Sequence, residues 1–149
     1  MDTLFTQDEI KIHAPASTVW NTLTNPDLTP QYMFGCTVIT NWKVGDSILW
    51  KGAEDGVLYV KGTIVAIEPE KNLSFTVFDP NANYTDIPSN YLTVNYTLET
   101  VGEDTLVKVT QGDYKKVEDG AKRYEDTMSQ GGWSSVLEAI KKLAEKEDV

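Results

Sequence analysis

Hydrophobic and polar positions alternate along most of the chain and then switch, after Asp113, to a period near that of a helix. Ile10 and Ile12 alternate with Glu9, Lys11 and His13, which predicts a half-buried strand ending at Ala14-Pro15. A short helix then opens at Ala16 or Ser17 and runs through Val19, Trp20 and Leu23. It stops before Asn25-Pro26, because the residue preceding a proline is pushed out of the α region. A second short helical piece spans about Asp27 to Met33 and is made irregular by Pro30.

From Cys36 to Gln111 the pattern predicts strand after strand: Cys36–Asn41, Ser47–Lys51, Val57–Glu68, Leu73–Asp79, Asn90–Thr100 and Thr105–Gln111. Turn-prone stretches separate them, such as Val44-Gly45-Asp46, Ala53-Glu54-Asp55-Gly56 and Val101-Gly102-Glu103-Asp104. The clearest alternation sets Leu92, Val94, Tyr96 and Leu98 against Thr93, Asn95, Thr97 and Glu99. That strand has a dry face and a wet face, as an antiparallel sheet covered on one side requires. The longest polar connection, Pro80 to Ser89, reads as a loop at the mouth of whatever the sheet encloses.

Beyond Asp113, Tyr124, Met128, Gly131 or Gly132, Val136, Ile140 and Leu143 recur every three to four residues. One helix from about Ala121 to Glu145 would hold about 25 residues and extend roughly 37 Å. The predicted fold is therefore α+β: a curved antiparallel sheet of about seven strands wraps a long C-terminal helix, with two short helices after strand 1. No repeat, low-complexity tract or linker interrupts the pattern, so residues 1–149 read as a single domain.

Composition narrows the partners. Thirteen Lys and Arg stand against 23 Asp and Glu, a formal charge of −10. Such a chain repels phosphate backbones and anionic membrane surfaces, so neither nucleic acid nor membrane is expected as a partner. Cys36 is the only cysteine, which rules out an internal disulfide. The start, Met1 to Asp8, lacks a basic segment followed by an apolar one, and no apolar run reaches membrane-spanning length. A cytoplasmic location is the expectation.

The segment from Ile12 to Pro26, including Ala14-Pro15-Ala16 and Val19-Trp20, resembles the opening of the START-like (SRPBCC) superfamily. It is most similar to the branch named for the C-terminal domain of the Hsp90 ATPase activator. Trp42-Lys43-Val44-Gly45-Asp46, the run from Gly62 to Pro69 with Leu73-Ser74-Phe75-Thr76, and Gly132 to Leu137 match in order, so the resemblance spans roughly residues 8 to 145. Tyr32 stands where relatives often place a tryptophan, and the stretch around Lys43-Val44-Gly45 lacks the usual acidic-arginine turn. The resemblance implies a helix-grip fold whose cavity between helix and sheet holds apolar ligands in relatives. It also implies, as an alternative, a chaperone-associated protein partner.

Candidate catalytic groups are few. The only histidine, His13, ends a strand beside Ala14-Pro15 and reads as a sheet-edge residue rather than a base. Cys36, next to Gly35, reads as a buried thiol. One His and one Cys make no four-ligand metal site without scattered carboxylates, and no phosphate-binding or dinucleotide motif is present, so neither metal nor cofactor is expected. Asp79, Asp86 and Asp113 near strand ends, with Glu54-Asp55 in a turn, leave open a small cyclase, dehydratase or hydrolase. Solvated turn carboxylates are the simpler account.

The aromatic set is more informative. Trp50, Tyr59, Phe75 and Tyr96 come from four strands, Tyr32 and Phe34 follow the short helices, and Met128, Gly132 and Trp133 belong to the C-terminal helix. These nine residues form the expected ligand-binding set. Core packing accounts for such residues equally well, but tyrosine and tryptophan carry polar tips that must find partners, which suits an apolar pocket with a few polar groups. Gly131-Gly132 costs a helix roughly 1 kcal/mol per residue relative to alanine. A kink, a close helix–sheet approach or room for a ligand would each explain the pair. The expected function is binding of a small, largely apolar ligand by a monomer or homodimer, without assigned catalysis.

Overall fold

The structure, a computed structural model, describes residues 3–147, so the first two residues of the N-terminal stretch lie outside it. Strand β1 (Thr6–Ile12) leads into helices α1 (Ala16–Thr24) and α2 (Thr29–Tyr32). Six strands follow: β2 (Cys36–Ile39), β3 (Ser47–Gly52), β4 (Leu58–Glu68), β5 (Asn72–Val77), β6 (Leu92–Val101) and β7 (Asp104–Gly112). Helices α3 (Gly120–Ser129) and α4 (Ser134–Glu147) complete the chain. Every strand pairing is antiparallel, and the seven strands form one curled sheet in the order β1-β7-β6-β5-β4-β3-β2. The α+β helix-grip architecture is thus present, with the two short helices after β1.

Alternation explains the sheet. On β6, Leu92, Val94, Tyr96 and Leu98 are buried while Thr93, Asn95 and Thr97 are not. Curvature comes from two irregularities. The β3–β4 register shifts at Trp50/Lys51 and the β4–β5 register at Ile64/Ala66, and such extra residues bend a strand. At Gly62 the strands approach so closely that a Cβ would lie 1.7 Å from the Thr76 carbonyl oxygen, so only glycine fits there.

The C-terminal segment differs from expectation. It is two helices rather than one from Ala121 to Glu145, because Gly131 and Gly132 adopt left-handed φ angles of 94° and 59°. The Gly132 N–H donates to the Thr127 carbonyl (2.9 Å) and the Gly131 N–H to the Met128 carbonyl (3.1 Å). This pair of bonds is a Schellman stop, with Gly131 at the position where lack of a Cβ matters most. Close approach to the sheet does not account for the pair: a Cβ on either glycine would meet only Ser134 Oγ at 3.6 Å or Met128 Sδ at 3.7 Å.

The two helices have different roles. Helix α4 buries Val136, Leu137, Ile140 and Ala144 as one stripe against β1, α1 and α2. In α3 only Gly120 is buried, and Met128 is 49% exposed. Across the far end of α4 runs a small polar clamp. The His13 N–H donates to Glu145 Oε2 (2.8 Å), Lys141 pairs with the same carboxylate, and His13 Nδ1 lies 2.6 Å from Asp104 Oδ1.

Two outcomes follow. Gly131→Ala should lower stability by about 1–2 kcal/mol, the cost of a left-handed alanine, as read from the denaturant midpoint. In a continuous helix the same change would raise stability by about 1 kcal/mol. The second concerns His13, whose pKa is raised by its hydrogen bond to the Asp104 carboxylate and by that charge. A raised folded-state pKa contributes stability that is fully present below the unfolded value, about 6.5, and is lost as pH rises through the folded one. The sole imidazole should titrate above 6.5 by NMR, and Asp104→Asn should return it toward that value.

Candidate ligand site

Where α4 begins and α3 stands away from the sheet, an open cavity of about 730 Å³ remains. Its floor is the concave face of β3 to β6, with Trp50, Val60, Phe75, Val77 and Val94 pointing inward. Met33, Phe34 and Cys36 close the end beside α2, and Gln111 and Trp133 close the side beneath α3. Two smaller cavities adjoin it. One, of about 230 Å³, lies between Phe34, Gly132 and Trp133; the other, of about 300 Å³, lies under Tyr84, Arg123 and Thr127. Gln111 lines all three.

The helix break positions the most informative wall residue. Trp133 follows the two left-handed glycines, and its carbonyl accepts the first bond of α4, from the Leu137 N–H. Its ring meets Tyr96 edge-on, with centroids 5.8 Å apart, and its Nε1–H donates to Gln111 Oε1 at 3.2 Å. Trp50, Phe75 and Tyr96 continue the aromatic layer at centroid spacings of 6.0 and 6.2 Å. Phe34 is 80% exposed at the rim and holds a φ of 50°, a conformation that costs a bulky side chain energy.

Of the nine residues expected from sequence, Phe34, Trp50, Tyr59, Phe75 and Trp133 line the main cavity, and Gly132 lines its neighbour. The others lie elsewhere for identifiable reasons. Tyr32 is buried, and its hydroxyl donates to the Leu23 carbonyl (2.6 Å), tying α2 to α1. Burial pushes that hydroxyl's pKa well above its usual value. Met128 points outward from α3. Tyr96 lies beneath the wall, against Trp133, and its buried hydroxyl finds no partner among the described residues. Tyr59 is at the rim, 41% exposed, with its hydroxyl donating to Asp55 Oδ2 (2.6 Å).

Gln111 is the residue the aromatic pattern misses. Thr105, Val107 and Val109 face inward on β7, and the same alternation carries an amide onto the dry face at position 111, opposite Val94. Period-two counting to the end of the strand would have found it.

The carboxylates are mostly occupied. Asp113 accepts from the Leu4 and Lys115 N–H groups, both at 2.9 Å, and these bonds lower its pKa. Asp86 pairs with Lys61 and accepts from the Tyr91 hydroxyl (2.6 Å), which also lowers its pKa, and it borders a groove outside the main cavity. Asp55 is lowered by the Tyr59 hydroxyl and the Val57 N–H. Asp79 alone of these acids lines the cavity. Burial raises the Cys36 thiol, which keeps it protonated at neutral pH and a poor nucleophile. No group of three potential metal ligands occurs among the described residues, and no described helix is long and apolar enough to cross a membrane. The 80–89 loop packs beside α3: Tyr84 lies under the Arg123 guanidinium, 4.6 Å from its carbon, and Asn90 exchanges hydrogen bonds with Glu118.

Comparison with known proteins places this architecture. The family described as activator of Hsp90 ATPase homolog 1-like protein matches residues 13–145. No curated protein matches by sequence. The solution structure of ChR145 from Cytophaga hutchinsonii is 36% identical, with a TM-score of 0.73 over 99% of this chain and 98% of that one. The Aha1 dimer from Colwellia psychrerythraea (17% identity, TM-score 0.70, 95% and 96% coverage) shares the fold. So does an HSP90 activator from Plasmodium falciparum (15%, 0.61, 85% and 89%).

A buried hydroxyl without a partner costs about 1–3 kcal/mol. Tyr96→Phe should therefore leave the unfolding free energy unchanged or raise it by up to about 3 kcal/mol, as read from denaturant unfolding. A loss of 1 kcal/mol or more would mean that the hydroxyl has a partner in solution.

Proposed function

The chain belongs to the activator of Hsp90 ATPase homolog 1-like family, and on that premise we propose that it binds a small, largely apolar ligand between its sheet and its C-terminal helices. The observation that carries this reading is the 730 Å³ cavity itself. Its size falls in the usual range for small-molecule sites, and its lining combines five aromatic rings with a few polar groups. Affinity comes from burying apolar surface, and the rings of Trp50, Phe75 and Trp133 give the ligand flat walls to stack on. The occupied carboxylates support a binding role over an acid–base one; Asp79, the one acid of the set that lines the cavity and the candidate for a catalytic alternative, itself accepts from the Asn81 N–H (2.8 Å). A cytoplasmic location and a single functional domain over residues 1–149 belong to the same reading.

A second reading is association with a chaperone, by a monomer or a homodimer. It is supported by the family's description and by the fold shared with an HSP90 activator and a dimer. The two readings separate cleanly, because only the first depends on the cavity interior.

A ligand of about twenty heavy atoms at roughly 0.3 kcal/mol per atom gains about 6 kcal/mol, a Kd of some tens of micromolar. Screening by thermal shift against lipids, polyketide-like aromatics and small hydrophobic acids should find compounds in that range. Val60→Trp, which fills the floor, should abolish their binding while leaving the circular dichroism spectrum intact. Absence of any stabilising compound, or full binding by Val60→Trp, removes the cavity reading. Co-purification of an Hsp90-type chaperone by both wild type and Val60→Trp would favour the second.

A further inference from the structure

We infer that the cavity selects ligands bearing an uncharged carbonyl-type acceptor, which receives a hydrogen bond from the side-chain amide of Gln111. The inference rests on the ligand-binding reading above and specifies the chemistry of its ligand.

The geometry follows from what each partner can do. An indole N–H only donates, so the Trp133 Nε1–H at 3.2 Å requires the amide to present its oxygen. The orientation of Gln111 is thus set by chemistry rather than by a choice between two similar atoms. With Oε1 held by Trp133, Nε2 turns away from the indole, and its two N–H groups make no hydrogen bond to any described residue. Gln111 lines the main cavity and both of its neighbours, so its side chain lies where the three spaces meet. Val60, Val77 and Val94 form the floor beside the half-buried Gln111, so a ligand that displaces water there gains from offering an acceptor.

The acceptor is neutral. Asp79 lines the same cavity and the chain carries a formal charge of −10, so a carboxylate ligand meets repulsion where a ketone does not. A ligand donor would leave both Gln111 N–H groups unmet and would compete with Trp133 for Oε1.

Two isosteric, uncharged probes test this: 2-ethylnaphthalene and 2-acetylnaphthalene, which differ by a CH2 replaced with a carbonyl. Their Kd values are measured by tryptophan quenching for the wild type, Gln111→Leu and Gln111→Glu. The expected result is that both probes bind the wild type and that either substitution reduces the acetyl-over-ethyl preference about three- to tenfold, the worth of one net hydrogen bond. Because each variant serves as its own reference, a general loosening of the wall cancels in this ratio. An unchanged ratio in Gln111→Leu overturns the inference while leaving the cavity reading intact. Tighter binding of 2-naphthoate than of the ketone overturns it as well. Failure of both probes to bind the wild type counts against the cavity reading itself, and the inference falls with it.

Discussion

The length of helix available to cover the concave sheet governs the rest of this structure. Strand β4 holds 11 residues and reaches about 36 Å. Helix α4 holds 14 and reaches about 21 Å. A helix of that length can seal only part of the sheet. It seals the end where β1, α1 and α2 converge, and Val136, Leu137, Ile140 and Ala144 fill the space there. The other end is spanned by α3, which contributes almost nothing buried. The uncovered floor between them becomes the cavity.

Much of the fold is legible in the sequence, because a period of two is a local signal and the strands obey it. Six strands, β2 to β7, fall within about two residues of their predicted bounds, and the dry face of β6 is read correctly residue by residue. The break in the C-terminal segment is harder to see for a physical reason. The apolar stripe continues through Gly131 and Gly132 at the correct spacing, so periodicity alone joins the two halves. What separates them is the sign of two φ angles, which glycine permits but does not dictate. The polar character of α3 was the available clue: a helix with no buried stripe does not lie in a sheet.

The site is legible only in part, because aromatic residues serve core and cavity alike. Trp50 and Phe75 alternate inward and reach the cavity, whereas Tyr96 does the same and ends beneath Trp133. Only the placement of Trp133 distinguishes them, and that placement depends on the helix break. Tyr32 illustrates the converse. Its hydroxyl joins two short helices through a backbone carbonyl, a contact that no sequence spacing reveals. Gln111 carries no signal in a pattern of large apolar residues, although an amide on a dry face is the more unusual placement.

The same break that shortens the cover also gives the site its polarity. If the helix ran on unbroken, position 133 would follow the helical course of α3 rather than start a new helix. Starting anew places the Trp133 indole over the sheet, close enough to Gln111 to hold the amide by its oxygen. One pair of glycines therefore opens the space, supplies its aromatic wall and orients the donors within it. Family membership accounts for the shared fold, but the fold alone does not set what is bound. On the ligand-binding reading proposed above, specificity resides where the cover ends, and in this chain it ends on a tryptophan and a glutamine.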